Sequence, residues 1–262
     1  MSEHSTSRRP DASRPTHACR LIVDGACDGA WNMAVDEVLL SSRAAGGQPC
    51  LRFYRWSIPT VSLGYFQPLA DGEKYVDGRK CPVVRRPTGG GAIVHDAELT
   101  YSFCVPRGHA LAADPMTLYR AIHGALIAAL ADLSIQASLS ESDSGLRPEA
   151  EPFLCFQRRA KGDVLVEGVK IAGSAQRRPN DAILQHGSVI LGASKAAPEL
   201  PSLEELTGRT IDPVKLIAIW TPRLSERLAV TFHEEPCTKT ETDKAKQLVE
   251  SRYGRDEWNA HK

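Results

Sequence analysis

The sequence predicts an α+β (mixed α/β) domain built on a largely non-parallel sheet. Two features lead there. Short β-branched and aromatic runs recur up to about residue 190, and helical periodicities are interspersed among them without strict alternation. The length of 262 residues suits one large domain with modest additions. A hydrophobic share of 42% and a charged share of 24% are ordinary for a globular chain able to bury its own core.

The elements follow in order. Residues 1–18 are polar and Ser- and Arg-rich, carry Glu3 and Asp11, and lack the apolar stretch of a secretory signal; they read as a disordered tail before a domain at 19–262. CRLIVDGA reads as a strand ending in a turn at Asp24-Gly25. WNMAVDEVLLSSRAA spaces Met33, Ala34, Val38 and Leu39 or Leu40 as a helix, closed by Gly46-Gly47. LRFYRW and TVSLGYF, separated by Ile58-Pro59, read as two strands or a hairpin. PVVRR and AIVHD flank a tight glycine loop, and LTYSFCVP is a further strand.

Residues 114–132 carry the best helical pattern. Asp114 caps it, Pro115 sits in the first turn, and Leu118, Ile122, Leu126 and Leu130 share a face. Residues 138–152 read as a surface loop. DVLVEG and VKIAGSAQRR form a hairpin turning near Glu167-Gly168, and AILQHGSVIL is another strand. PSLEELTG, DPVKLIAIWTPRLSERLAVTF and TKTETDKAKQLVESRYG read as helices, so residues 200–262 are expected to be a mainly helical extension.

Charge and cysteine usage exclude several classes. Thirty-two basic residues balance thirty-two acidic ones, which argues against binding nucleic acid through phosphate charge. No apolar run approaches the ~20 residues that cross a bilayer. Seven cysteines, widely spaced and without a CxxC pair, suggest neither a zinc site nor a secreted disulfide framework. Reduced thiols in a cytoplasm are the natural expectation, with no metal, membrane or nucleic-acid partner.

The densest chemical signal is Arg85-Arg86-Pro87-Thr88-Gly89-Gly90-Gly91-Ala92-Ile93-Val94-His95-Asp96. Glycines let backbone N–H groups approach an anion, and two arginines add forked donors. The alternative is a glycine hairpin with solvent-facing arginines. No Gly-Lys-Ser/Thr follows, so this is not a nucleotide P-loop. The second signal is Lys170-Ile171-Ala172-Gly173-Ser174-Ala175-Gln176. Its small residues fill a core poorly but suit a strand lying against a ligand. Lys170 reads either as a cation in the cleft or as an exposed lysine. The others are Gln185-His186-Gly187, where an ordinary structural histidine is the plainer reading, and Cys155, a thiol among apolar neighbours just ahead of the Lys170 hairpin.

Taken together, these segments resemble the lipoate-protein ligase A and octanoyltransferase family, related in fold to biotin protein ligases. The likeness runs from about residue 20 to 191. It begins at Asn32-Met33-Ala34-Val35-Asp36-Glu37, continues through Trp56–Gln67 and the RRPTGGGAIVHD run, and ends with Gly168–Gln176 and Gln185-His186-Gly187-Ser188. The resemblance implies a central mixed sheet flanked by helices. It places Arg85, Arg86, Gly89, Gly90, Gly91 and His95 around the acyl group and its activated carboxyl, and Lys170 on the reacting carbonyl or the phosphate of an adenylate; Gly173, Ser174 and His186 join them as substrate-binding candidates. Cys155-Phe156 looks like the Cys-Phe pair of one octanoyltransferase type, and Gln176 fits that type too. Gly-Val-Lys at 168–170 departs from the commoner Gly-Arg-Lys, and the basic Arg158-Arg159-Ala160-Lys161 insert has no clear meaning within the family.

That likeness implies octanoyl transfer from octanoyl-acyl carrier protein, through a thioester on Cys155, to the lysine of a lipoyl domain, in 2-oxoacid dehydrogenase subunits or the glycine cleavage H protein. No cofactor is then needed. The alternatives are an ATP- and Mg-dependent lipoate ligase and an octanoyl relay between lipoyl-domain proteins. A cation such as Lys170 is expected beside the thiol. Loop N–H groups at Gly89–Gly91, or those beside Gly173, are candidates for the oxyanion site. Lys170, His95 and His186 are candidates for the base. An octanoyl chain offers about six methylenes and a methyl, worth roughly 5 kcal/mol of burial, with Val61, Leu63, Tyr65, Ala92 and Val94 as expected walls.

Overall fold

A computed structural model describes residues 17–77, 81–143, 145, 147, 151–179 and 181–260. Most of the expected 1–18 tail therefore lies outside the described residues. His17 and Ala18 do not belong to it: they open strand β1 (His17–Cys27) by pairing with Val230 and Thr231.

The large sheet has eight strands: β1, β2 (Cys50–Trp56), β6 (Glu98–Pro106), β7 (Ser138–Leu139), β8 (Val164–Val166), β9 (Val169–Arg177), β10 (Ala182–Ile190) and β11 (Val230–Glu234). Their order is β11-β1-β2-β6-β10-β9-β8-β7. β1 runs parallel to both β11 and β2; the other pairs are antiparallel, as expected for a mixed sheet. A separate three-stranded sheet, ordered β4-β3-β5, is made of β3 (Thr60–Leu63), β4 (Val83–Arg85) and β5 (Ile93–His95).

Helices cover both faces of the large sheet. On one face α3 (Pro115–Asp132) packs on α5 (Pro213–Leu228). The α3 stripe Leu118, Ile122, Leu126 and Leu130 is fully buried there beside Trp220 and Leu224. Asp114 accepts the Met116 N–H, satisfying an otherwise unpaired donor at the helix start. On the other face lie α1 (Gly29–Ala44) and α6 (Lys239–Leu248). Asp28 caps α1 by accepting the Trp31 N–H. Short helices α2 (Leu69–Val76), α4 (Leu203–Thr207) and α7 (Asp256–Asn259) complete the chain.

Four expectations are corrected. Asp24-Gly25 is not a turn but a register shift inside β1, between Val23 and Ala26. β2 and β3 are not a hairpin, because they belong to different sheets. The glycine loop is not a hairpin either. β4 and β5 both pair with β3, parallel and antiparallel respectively, so the loop carries the chain across β3 to its other side. Finally, the segment after α5 is strand β11. Ala229 ends the helix in the left-handed region, and the β-branched Val230 and Thr231 then extend along the otherwise open edge of β1. Residues 200–262 are thus part of the main sheet as well as helical. The hairpin at Glu167-Gly168 stands as expected, with both residues at positive φ.

Candidate active site

The small sheet and the large one border a cavity, about 530 Å³ of empty space counting its open mouth. One wall comes from β3, the glycine loop and β5: Ser62, Arg86, Gly89, Gly90, Ile93 and His95. The facing wall brings Cys155, Phe156, Gly173, Ser174 and Ala175, and Met33, Tyr54, Thr100 and His186–Ser188 complete the lining.

Cys155 starts a single 3-10 turn, Cys155–Gln157. The chain before it is stitched to the end of the glycine loop. Ala92 donates its N–H to the Phe153 carbonyl at 3.0 Å, and Cys155 N–H donates to the Ala92 carbonyl at 2.7 Å. This bridge brings the thiol and the loop, 64 positions apart between residues 91 and 155, onto one cavity.

Lys170 rises from β9 to meet the thiol. Its three ammonium protons have three acceptors: the Asp163 carboxylate at 2.9 Å, the Cys155 carbonyl at 3.2 Å and Cys155 Sγ at 3.7 Å. Lysine and aspartate are both buried, so the cation is held in place and is not the exposed lysine of the plainer reading. The ammonium also lies 5.5 Å from the centre of the Phe156 ring. Gly173 makes this approach possible, since a Cβ there would fall 2.6 Å from Lys170 Cε. Burial pushes Cys50 up to about 12 and Cys237 to about 11, and raises Cys19, Cys27 and Cys104. Such thiols make poor nucleophiles.

The opposite wall is a locked polar network. Arg86 is almost fully buried, and all five of its N–H groups are engaged by neutral oxygens. Nε donates to Thr88 Oγ1, Nη1 to the Ser62 carbonyl and hydroxyl, and Nη2 to the Gly89 and Gly91 carbonyls. Burial lowers its pKa to about 10, while Cys155 favours its charge. Arg86 therefore supplies positive field to the cavity and holds the loop, but has no spare donor for a substrate. Gly90 adopts φ +93°, a backbone conformation that explains its residue type.

Two buried carboxylates orient two cavity histidines. His186 Nδ1 donates to Asp36 Oδ2 at 3.3 Å, which leaves Nε2 to accept from Thr88 Oγ1 at 2.6 Å. His95 Nδ1 donates to Glu98 Oε1 at 2.6 Å, and its Nε2 accepts from Ser62 Oγ at 2.7 Å. Asp36 also takes hydrogen bonds from Arg52, Tyr54 and Ser102. Although burial works against its charge, these partners hold its carboxyl below the usual carboxylate range. Burial lowers the pKa of His186.

The structure brings together Arg86, Gly89, Gly90, His95, Cys155, Gly173, Ser174 and His186 around the cavity, with Lys170 on the thiol and the Gly91 carbonyl on Arg86. Arg85 is elsewhere. As the strand neighbour of Arg86 it faces the other way, donating to the Gly64, Tyr65 and Gln67 carbonyls and to the Asn259 carbonyl. The expected apolar walls are corrected for the same reason. Val61, Leu63, Ala92 and Val94 pack into the core behind the small sheet, while the alternate residues Ser62, Ile93 and His95 face the cavity. Tyr65 packs edge-on against Phe66, outside the lining. The apolar contacts come instead from Met33, Tyr54, Ile93 and Phe156. The basic insert after Cys155 is structural. Arg158 pairs with Glu151 and lies over Gly91, and Arg159 donates to the Gly168 carbonyl.

Sequence reasoning missed Asp36, Glu98, Asp163 and His123 as parts of the site. Three of them leave a trace. Asp36 falls beside the apolar stripe of α1, Glu98 opens an otherwise uncharged strand, and His123 interrupts the apolar face of α3.

Residues 28–200 match the family model for the lipoyl protein ligase A/B catalytic domain. Octanoyltransferase LipM of Symbiobacterium thermophilum is 34% identical over 93% of this chain and 98% of its own length. Octanoyltransferase LipM of Halalkalibacterium halodurans is 31% identical over 93% of this chain and 99% of its own. Among solved structures, a bi-partite lipoate protein ligase from Thermoplasma acidophilum, studied with its E2 lipoyl domain, shares the fold. Its TM-score is 0.74 at 22% identity, covering 93% of this chain and 96% of that one.

Proposed function

We propose, from the premise that the chain belongs to the lipoyl protein ligase A/B catalytic-domain family, that it moves an octanoyl group from octanoyl-acyl carrier protein, through a thioester on Cys155, to the lysine of a lipoyl domain. Octanoyl transfer in lipoate biosynthesis, and with it the assignment as an acyltransferase, rests on near-full-length likeness to several octanoyltransferases. Lipoyl-domain acceptors follow from the same family. The acyl carrier protein donor and the covalent intermediate are our reading.

The observation that carries it is the Cys155 thiol on the cavity with a buried, ion-paired ammonium 3.7 Å from its sulfur. A thioester donor is already activated, so the exchange requires a thiolate and no ATP or metal. The thiolate attacks the donor carbonyl carbon, and the donor's thiol departs carrying the proton that Cys155 gave up. Lys170 keeps its proton throughout. It stabilises negative charge on sulfur before attack and again when the acyl group leaves. Gly173 lies within the sheet, paired in register with Ser188, and the Cys155 amide is bonded to Ala92. The flexible-backbone positions Gly89 and Gly90 are therefore our choice for the oxyanion. The apolar lining of Met33, Tyr54, Ile93 and Phe156 suits a saturated chain.

The test is transfer from octanoyl-acyl carrier protein to a lipoyl domain, followed with and without ATP. Activity that is indifferent to ATP and absent in Cys155→Ala is expected. Full activity of that variant without ATP, or strict dependence on ATP and free octanoate, would overturn the reading.

A further inference from the structure

His123 has no role in the chemistry described so far, yet its ring is held as tightly as those of His95 and His186. It is buried in α3. Its Nδ1 lies 2.6 Å from the Gly162 carbonyl, which can only accept, so Nδ1 carries the proton. Nε2 is then an acceptor, and it receives the Ser174 hydroxyl at 2.5 Å. Ser174 Oγ in turn lies 2.5 Å from the Tyr101 hydroxyl, which receives the Gln185 amide at 3.0 Å. Every donor in this chain points toward His123. Ser174 lines the same cavity as Cys155 and is only partly buried.

We infer that Ser174 is a further catalytic residue: it takes the proton from the acceptor lysine as that amine attacks the Cys155 thioester, and hands its own proton to His123 Nε2. The inference rests on the thioester reading above. Attack by the neutral amine forms a C–N bond and leaves a surplus proton on nitrogen. Ser174 Oγ accepts that proton while its own hydrogen moves to Nε2, giving an adduct with neutral nitrogen and a negative carbonyl-derived oxygen, and an imidazolium. Collapse breaks the C–S bond and returns the electron pair to Cys155 sulfur beside Lys170. His123 later releases its proton to solvent through Ser174.

Two other hydroxyl–histidine pairs border the cavity, Ser62–His95 and Thr88–His186. Both hydroxyls also accept hydrogen bonds from the Arg86 guanidinium. A proton arriving there would place a second positive charge beside a buried cation, and Arg86 opposes protonation of His186. Ser174 is free of that contact; its second partner is the neutral Tyr101. The groups facing His123 are Tyr101 from β6, Tyr119 from its own helix, Asp163 from the segment ahead of β8 and Lys170 from β9. Asp163 favours a proton on His123, Lys170 opposes it, and burial keeps the ring neutral and ready to accept.

The test separates the two half-reactions. Wild type, Ser174→Ala, Ser174→Thr and His123→Gln are each mixed with octanoyl-acyl carrier protein, and the acyl-enzyme is followed by intact mass; a lipoyl domain is then added. The expected result is acylation within a few-fold of wild type in the three variants. Transfer to the lipoyl domain should slow by about 100-fold or more in Ser174→Ala and His123→Gln, with partial rescue in Ser174→Thr. The fall of wild-type transfer toward acid pH should flatten in His123→Gln. Transfer at the wild-type rate in Ser174→Ala, or equal loss of both half-reactions, would overturn the assignment. Should His123→Gln fail to fold, Ser174→Ala decides alone. Absence of an acyl-enzyme in wild type would instead sink the thioester reading itself.

Discussion

The two walls of the cavity are built on different principles. The Cys155 wall holds one thiol, one ammonium and one carboxylate, and its contacts at 3.2 and 3.7 Å from Lys170 leave the sulfur accessible. On the glycine-loop wall every donor of Arg86 is used, and the His95 ring, like the His186 ring bonded to Thr88 of the loop, is fixed at both nitrogens. The first wall is equipped to change charge during a reaction. The second has fixed its charges in advance, a preorganised field that costs no rearrangement when charge develops. Dense polar contacts on the glycine-loop wall mark the part that must not move; those of Ser174 and His123 differ in having no guanidinium among them.

The sharpest way to break this contrast is Cys155→Ala. Loss of the nucleophile should lower transfer by about 10⁴-fold or more with little change in unfolding midpoint. A comparable loss of activity from changing Arg86 to Lys with the fold intact would erase the distinction. Next comes Lys170→Met, expected to slow acylation by about 10²–10³-fold. It also strands Asp163 in a buried site, at a cost on the order of 3–5 kcal/mol. Adding Asp163→Asn should restore stability without restoring rate, as unfolding and single-turnover assays together would show.

On the other wall the order reverses. Asp36→Asn removes a carboxylate that serves Arg52, Tyr54, Ser102 and His186, so it should cost roughly 3–5 kcal/mol of stability. Its effect on acylation should be smaller than that of Lys170→Met, as denaturant titration and kinetics on one sample would check. A smaller effect comes from pH. Burial lowers the pKa of His123 and His186 in the folded protein, below the ~6.5 of an unfolded chain. Between those values the unfolded state binds more protons, so stability must fall as pH drops through this window. His186→Gln should make the fall shallower in thermal melts at pH 7 and 5. The smallest effect is expected outside both walls. Asn259→Ala removes side-chain bonds to Arg85 and Val83 and should cost about 1–2 kcal/mol while leaving kcat unchanged.

How far the site was legible in the sequence follows the same division. The α3 helix and the hairpin at Glu167-Gly168 were readable, because local period and turn chemistry determine them, whereas the pairing of Cys155 with Lys170 was expected only from the family resemblance. The separation of β2 from β3 was not readable. Both runs are short and rich in β-branched or aromatic residues, and only the pairing of β3 with β4 and β5, a choice made outside the run itself, assigns it to a second sheet. That error carried into the expected walls. Without the sheet's orientation, Val61 and Ser62 have equal claim to the cavity, and the apolar residue was the wrong choice. Asp163 and His123 escaped notice because their meaning depends on partners in other elements: Lys170 on β9 for one, Ser174 and the Gly162 carbonyl for the other.

The central claim is that Cys155, with Lys170 beside it, carries the acyl group. The most direct measurement is the intact mass of the protein after incubation with octanoyl-acyl carrier protein in the absence of ATP. One octanoyl adduct, removed by hydroxylamine and missing in Cys155→Ala, is the predicted result. An adduct that persists in that variant, or no adduct under conditions where octanoyl still reaches the lipoyl domain, would contradict it.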